Sequence, residues 1–105
     1  MTDKELLELA AKAAGYLLEY DDDECLSWVV WDENNNPTDW NPLTDDGDAL
    51  RLAVKLEQCV TVEGHGRTVA ISVTGFECEE INRDDPYAAT RRAIVRAAAE
   101  IGKNK

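Results

Sequence analysis

Trp40-Asn41-Pro42-Leu43-Thr44-Asp45-Asp46-Gly47-Asp48-Ala49-Leu50-Arg51-Leu52-Ala53-Val54-Lys55-Leu56 is the stretch on which the fold turns. It reads as an aromatic loop, an acidic turn and then a helix. At 100° per residue, with Leu50 as origin, Val54 lies to one side and Ala53, Ala49, Leu56 and Leu52 sweep round the other. The apolar arc is roughly 200° wide, against about 100° for an ordinary surface helix. Arg51, Lys55 and Asp48 form the polar strip. Such a helix has two apolar neighbours, commonly a sheet and another helix. Thr44 or Asp46 is placed to cap it, and Asp45, Asp46 and Asp48 bring negative charge to its unpaired N–H groups. These carboxylates also suit a cation site, but capping accounts for the residue types without one.

The whole chain has 105 residues, the size of one domain with a modest core. No apolar run approaches the ~18 residues of a membrane span, and Met1-Thr2-Asp3-Lys4-Glu5 lacks the regions of a signal peptide. A soluble, cytoplasmic protein is the expectation. Cys25, Cys59 and Cys78 form no CxxC pair, which fits reduced thiols acting as small apolar residues in or beside strands. A zinc site built from them with His65 lacks any close ligand pair and is set aside. The net charge is −11 and uneven: residues 83–105 carry six basic and three acidic side chains, and the remainder five and nineteen. An acidic body disfavours nucleic acid and anionic membranes and suits a basic partner, or solubility alone.

Thr2-Asp3-Lys4-Glu5 is a capping-box pattern for a first helix over about residues 3–14, stopped by Gly15. Tyr16 to Tyr20 is apolar but of uncertain type, and Asp21 to Glu24 is an acidic loop. Cys25 to Trp31 predicts a strand with bulky residues on both faces. Asp32 to Pro37 predicts a turn. Its Asp32-x-Asn34-x-Asn36 spacing imitates a calcium loop, yet Pro37 stands where glycine is needed and Leu43 where the closing glutamate belongs. Asn36-Pro37-Thr38 is no glycosylation acceptor, because proline blocks it. Gln58 to Glu63 and Thr68 to Thr74 predict a hairpin through Gly64-His65-Gly66, where His65 reads as exposed loop rather than general base. Val69, Ile71 and Val73 share one face of the second strand; Thr68, Ala70, Ser72 and Thr74 share the other. Phe76 to Asn82 leads out of the sheet. Asp84-Asp85-Pro86 starts a last helix over about 86–101, ended by Gly102. Its buried stripe is Tyr87, Thr90, Ile94, Ala97, Ala98 and Ile101. Arg92 and Arg96 lie opposite, facing solvent. Arg91 sits at the stripe's edge, either snorkelling to a carboxylate or binding an anion in a groove.

This order implies an α+β fold: a small, mainly antiparallel sheet of about three strands with three helices. The alanines of the last helix, meeting the small-residue face of the third strand, give a three-layer α-β-α sandwich. Left open, that face suits dimerisation or partner binding. The blocks 40–56 and 85–100, with Leu6 to Gly15, resemble the small phage and prophage proteins grouped as a phage ABA sandwich domain. The resemblance covers about half of the chain. It implies the sandwich fold and a host bacterial cytoplasm, and it supplies no catalytic residues.

Three functions remain open. The first is a non-enzymatic interaction protein that acts on a host or phage protein through an acidic surface. One form is a decoy mimicking nucleic-acid charge, with carboxylates in rows. The second is a small-ligand or nucleotide sponge, for which Trp40, Tyr87 and Arg91 are the only plausible set; Trp40 reads first as an ordinary core or rim aromatic. The third is a metal hydrolase using Asp45, Asp46 and Asp48, although neighbouring acids in one turn seldom converge on one ion. With no Ser-His-Asp set, phosphate loop or ordered metal-ligand pattern, the expectation is a protein without cofactor or catalysis, and a possible homodimer.

Overall fold

Thr2 opens α1 (Asp3–Ala14): its hydroxyl accepts from the Glu5 N–H at 3.2 Å. Gly15, at φ 77°, closes the helix. Its N–H donates to the Lys12 carbonyl while the Tyr16 N–H donates to that of Ala11, a Schellman ending that needs the left-handed conformation. The computed structural model describes residues 2–20, 28–31, 37–63, 67–71, 77–81 and 85–104. The acidic run 21–24, Cys25, the asparagine turn 32–36, the His65 hairpin turn and Ser72 to Phe76 lie outside the described residues.

The Tyr16 to Tyr20 stretch resolves as β1 (Leu17–Tyr20). It pairs antiparallel with β2 (Trp28–Trp31), which pairs with β3 (Pro37–Asp39). Pro37 was expected in a turn; it is the first residue of an edge strand, a place that tolerates its missing N–H.

The helix of the deciding stretch is α2 (Asp46–Lys55). Its cap is Asp45, whose carboxylate accepts from the Asp48 N–H at 2.8 Å, rather than Thr44 or Asp46. It also ends in a Schellman arrangement: Gln58 N–H donates to the Ala53 carbonyl, and Glu57 N–H to that of Val54. Glu57 fills the left-handed position at φ 54°, where glycine would be usual.

A second sheet has the order β4 (Cys59–Glu63), β5 (Arg67–Ile71), β6 (Glu77–Ile81), all antiparallel. β6 corrects the expectation that this segment leads out of the sheet. Its Glu-Cys-Glu-Glu-Ile sequence shows no apolar alternation because it is an edge strand, with Cys78 buried and Glu77, Glu79 and Ile81 exposed. Three helices and small antiparallel sheets make the α+β fold that the element order implied.

α3 (Pro86–Lys103) organises the packing. Asp85 caps it by accepting from the Ala88 N–H at 3.1 Å, and Pro86 takes the first turn. Ala93 and Ala97 pack against Cys78 and Val60 of the sheet. α3 also meets β5, in which register sets Ala70 between Val60 and Cys78. On its other side Val95, Ala98 and Ala99 join Leu6, Leu7, Ala10 and Ala11 of α1, with Ala49, Leu52 and Ala53 of α2 and the ring of Trp40. The β4–β5–β6 sheet thus lies against one side of α3 and α1 against another, while α1 also meets β1. Alanine and glycine on several sides of α3 admit these close neighbours.

Gly102 was expected to end α3. It lies inside the helix instead, where a Cβ would come 1.9 Å from the Leu9 carbonyl oxygen. The absence of a side chain lets the two backbones touch. Tyr87 leaves the expected stripe and stands exposed, while Ala93, Val95 and Ala99 join it. Arg92 and Arg96 are half-exposed and paired: Arg92 with Asp3 at 3.1 Å, Arg96 with Glu80 at 2.7 Å. Among the described residues no helix is long and apolar enough to cross a membrane.

Candidate functional site

The 200° arc predicted for α2 is only half covered. Ala49, Leu52 and Ala53 are buried, but Leu50 and Val54 keep 64% and 69% of their surface. α2 packs on α3, and this contact takes only one flank of its apolar arc. Leu50 instead borders a groove of about 570 Å³ between α2, α3 and β4. The α2 wall is Asp46, Ala49, Leu50 and Ala53; the β4 floor is Val60 and Val62; the α3 wall includes Tyr87, Thr90, Arg91 and Ile94. Val62 and Tyr87 are 58% and 69% exposed, so the apolar surface continues out onto the rim. A contiguous open apolar patch of this kind marks a docking surface more often than a bare solvent face.

The acidic turn sits at one end of this groove, and its carboxylates diverge. Asp45 caps α2 and stands 3.8 Å from Arg51. Asp48, expected in the polar strip, is 7% exposed; it accepts from the Asn41 N–H at 2.9 Å and from Arg51 at 2.7 Å. That bond chiefly raises the Arg51 pKa above its ordinary value. Asp46 points the other way and pairs with Arg91. Three acids with three separate tasks give no common coordination point, and among the described residues no group of three His, Cys, Asp or Glu is disposed to hold a metal ion.

Arg91 takes the snorkelling form. Its Nε donates to the Leu43 carbonyl at 2.9 Å and its Nη1 to Asp46, so the guanidinium ties α3 to the turn before α2. Tyr87 and Arg91 do line one groove. Trp40 does not join them: it is buried, with its ring edge-on to Tyr16 at 5.9 Å and 80°. Of the expected binding set, then, Asp46, Tyr87 and Arg91 come together, while Trp40, Asp45 and Asp48 serve the core and the helix start. Sequence reasoning missed Leu50, Val60 and Val62. The signal was present in the excess width of the α2 arc, which was read as a second buried contact.

A second cleft lies between α1, α3 and β6, lined by Leu6, Cys78, Glu80, Arg92, Arg96 and Glu100. Glu80 is shared by Arg92 and Arg96, at 3.7 and 2.7 Å, and its hydrogen bond is the main cause raising the Arg96 pKa. Burial pushes the Cys78 thiol up from its ordinary value, with nearby Arg96 working against it. A neutral buried thiol is a poor nucleophile. Comparison of the chain with protein-family models, curated proteins and solved structures gave no match.

Proposed function

We propose that this chain is a non-enzymatic interaction protein that engages a basic partner protein. Its acidic surface supplies attraction, and the α2–α3–β4 groove supplies the apolar contact. The observation that carries this reading is the exposure of Leu50, Val62 and Tyr87 around the groove, beside the exposed carboxylates of Asp46 and Asp85. An apolar centre within a charged rim is how protein interfaces are built. The net charge of −11 favours a cationic partner and speeds the encounter. A phage origin and action in a bacterial cytoplasm belong to the proposal through the resemblance of residues 40–56 and 85–100. The decoy form draws support from Glu77 and Glu79, alternate exposed residues on one face of β6.

The test is capture from bacterial lysate by the tagged protein at low and high salt. The expected result is one retained protein, identified by mass spectrometry and basic in composition, that high salt releases. Retention of nothing at either salt counts against the reading. The small-ligand alternative keeps Tyr87 and Arg91 in one groove, but it lacks Trp40, and two nitrogens of Arg91 are already engaged. Thermal shift with nucleotides decides it: no stabilisation by any nucleotide removes it.

A further inference from the structure

We propose that the outer edge of β4, together with the groove beside it, receives an extended basic segment of the partner protein as a fourth strand of the β4–β5–β6 sheet. This rests on the protein-partner reading and assigns it a place and a mode.

The two edges of the sheet are built differently. β6 carries Glu77, Glu79 and Glu80 in a strand of five residues, and Arg96 also reaches the Glu79 carbonyl. Charges on an edge are the usual protection against pairing with another chain. β4 reads Cys59-Val60-Thr61-Val62-Glu63, with no lysine, no proline and two β-branched valines in its middle. Among the described residues it pairs with β5 alone. Among the described residues its outer edge thus keeps backbone groups that an added strand can satisfy.

The groove lies on this same side. β4 lines it through Val60 and Val62 and β6 contributes nothing, since Cys78 and Glu80 line the other cleft. Val60 and Val62 are alternate residues of one strand, so the floor repeats every second residue. A strand laid beside β4 presents alternate side chains with the same period, and these fill the groove between Ala53, Leu50 and Tyr87. A helix would match the walls but leave the edge groups unpaired.

Charge selects the occupant. Asp46 and Asp85 stand exposed at the α2 and α3 starts that flank the groove, and Asp46 already takes up the charge of Arg91. A second copy of this chain would bring another −11 to the contact. A segment with apolar residues at alternate positions and lysine or arginine between them meets both the floor and the rim.

The experiment uses the full chain and a fluorescein-labelled short peptide of alternating lysine and valine. Two controls accompany it: an isomer with the same composition in blocks, and the alternating peptide N-methylated at every second amide. Anisotropy gives affinity, and amide NMR of the labelled protein gives location. The expected result is binding of the alternating peptide, with shifts on β4 and on Leu50. Both controls bind roughly tenfold more weakly or worse, because each loses the ladder. Val62→Lys and Leu50→Lys change exposed positions and each weaken binding to a similar degree, with unchanged circular dichroism. Equal binding of all three peptides, or shifts confined to other surfaces, overturns the edge site while leaving an acidic interaction protein intact. No binding by any peptide overturns the edge site, and lysate capture then decides the broader reading separately. Sedimentation showing a dimer that Val62→Lys abolishes also overturns it, by giving the edge to a second copy.

Discussion

Replacing Gly102 by alanine puts a methyl group where α1 has its backbone. The new Cβ would stand 1.9 Å from the Leu9 carbonyl oxygen and 2.7 Å from its carbon, where ordinary contact starts at 3.4 Å. Two effects oppose each other. Alanine is the better helix former by roughly 1 kcal/mol. Against it, the obstacle is backbone and cannot rotate away. Relief requires α1 to retreat from α3 by more than an ångström, along the seam where Leu6, Leu7, Ala10 and Ala11 are packed. Overpacking costs about 1–3 kcal/mol, and a clash this deep belongs at the upper end. The net expectation is a loss of about 2 kcal/mol, or a fall in Tm of about 8 °C for a domain of this size. Urea denaturation followed by circular dichroism measures it, with Lys103→Ala as a neighbouring control. A G102A variant as stable as the parent, or more so, refutes the close crossing of α1 and α3.

Glu57→Gly should stabilise the protein by about 1 kcal/mol, because glycine adopts the left-handed conformation at φ 54° without strain; a lower urea midpoint would contradict this. Asp48→Ala strands the Asn41 N–H and leaves Arg51 only its longer contact with Asp45, and should cost about 1–3 kcal/mol; thermal unfolding checks it, and a change within error means that the carboxylate is dispensable. Burial raises the Cys78 pKa above 9.0, so the folded state holds that proton longer than the unfolded chain does. Stability from this source is complete below about pH 9 and declines as pH rises beyond it, a slope that Cys78→Ala should remove. In single-cysteine variants at neutral pH, Cys59, which is exposed, should react with a thiol reagent well before Cys78, which is buried.

The parts of the fold written in local chemistry were legible. Thr2, Gly15, Asp85 and Pro86 each stand where a cap, stop or first turn was expected, because those tasks depend on one residue and its near neighbours. The β4–β5 pairing followed from alternation. β6 was not legible, since a charged edge strand carries almost no hydrophobic pattern. Nor was the role of Gly102: a glycine near a helix end reads as a stop, and only the position of α1 shows that it is a contact. The candidate site divided in the same way. Arg91 stood at the edge of its stripe and found its carboxylate. Trp40 gave no sequence signal to separate a buried aromatic from a binding one. The wide arc of α2 was visible, but whether a neighbour covers both its flanks depends on how many layers the fold has.

The Arg91–Asp46 pair joins positions 45 residues apart, and the floor between them comes from a third segment. The groove is therefore a discontinuous surface: no linear fragment contains it. Overlapping peptides from this chain, or antibodies raised against them, would be blind to it, and a screen for binders must present the folded protein. The same arrangement makes recognition a report on integrity. A chain whose α2 has come away from α3 offers the partner only scattered halves of the contact, so binding at this surface would discriminate the intact molecule from its damaged forms.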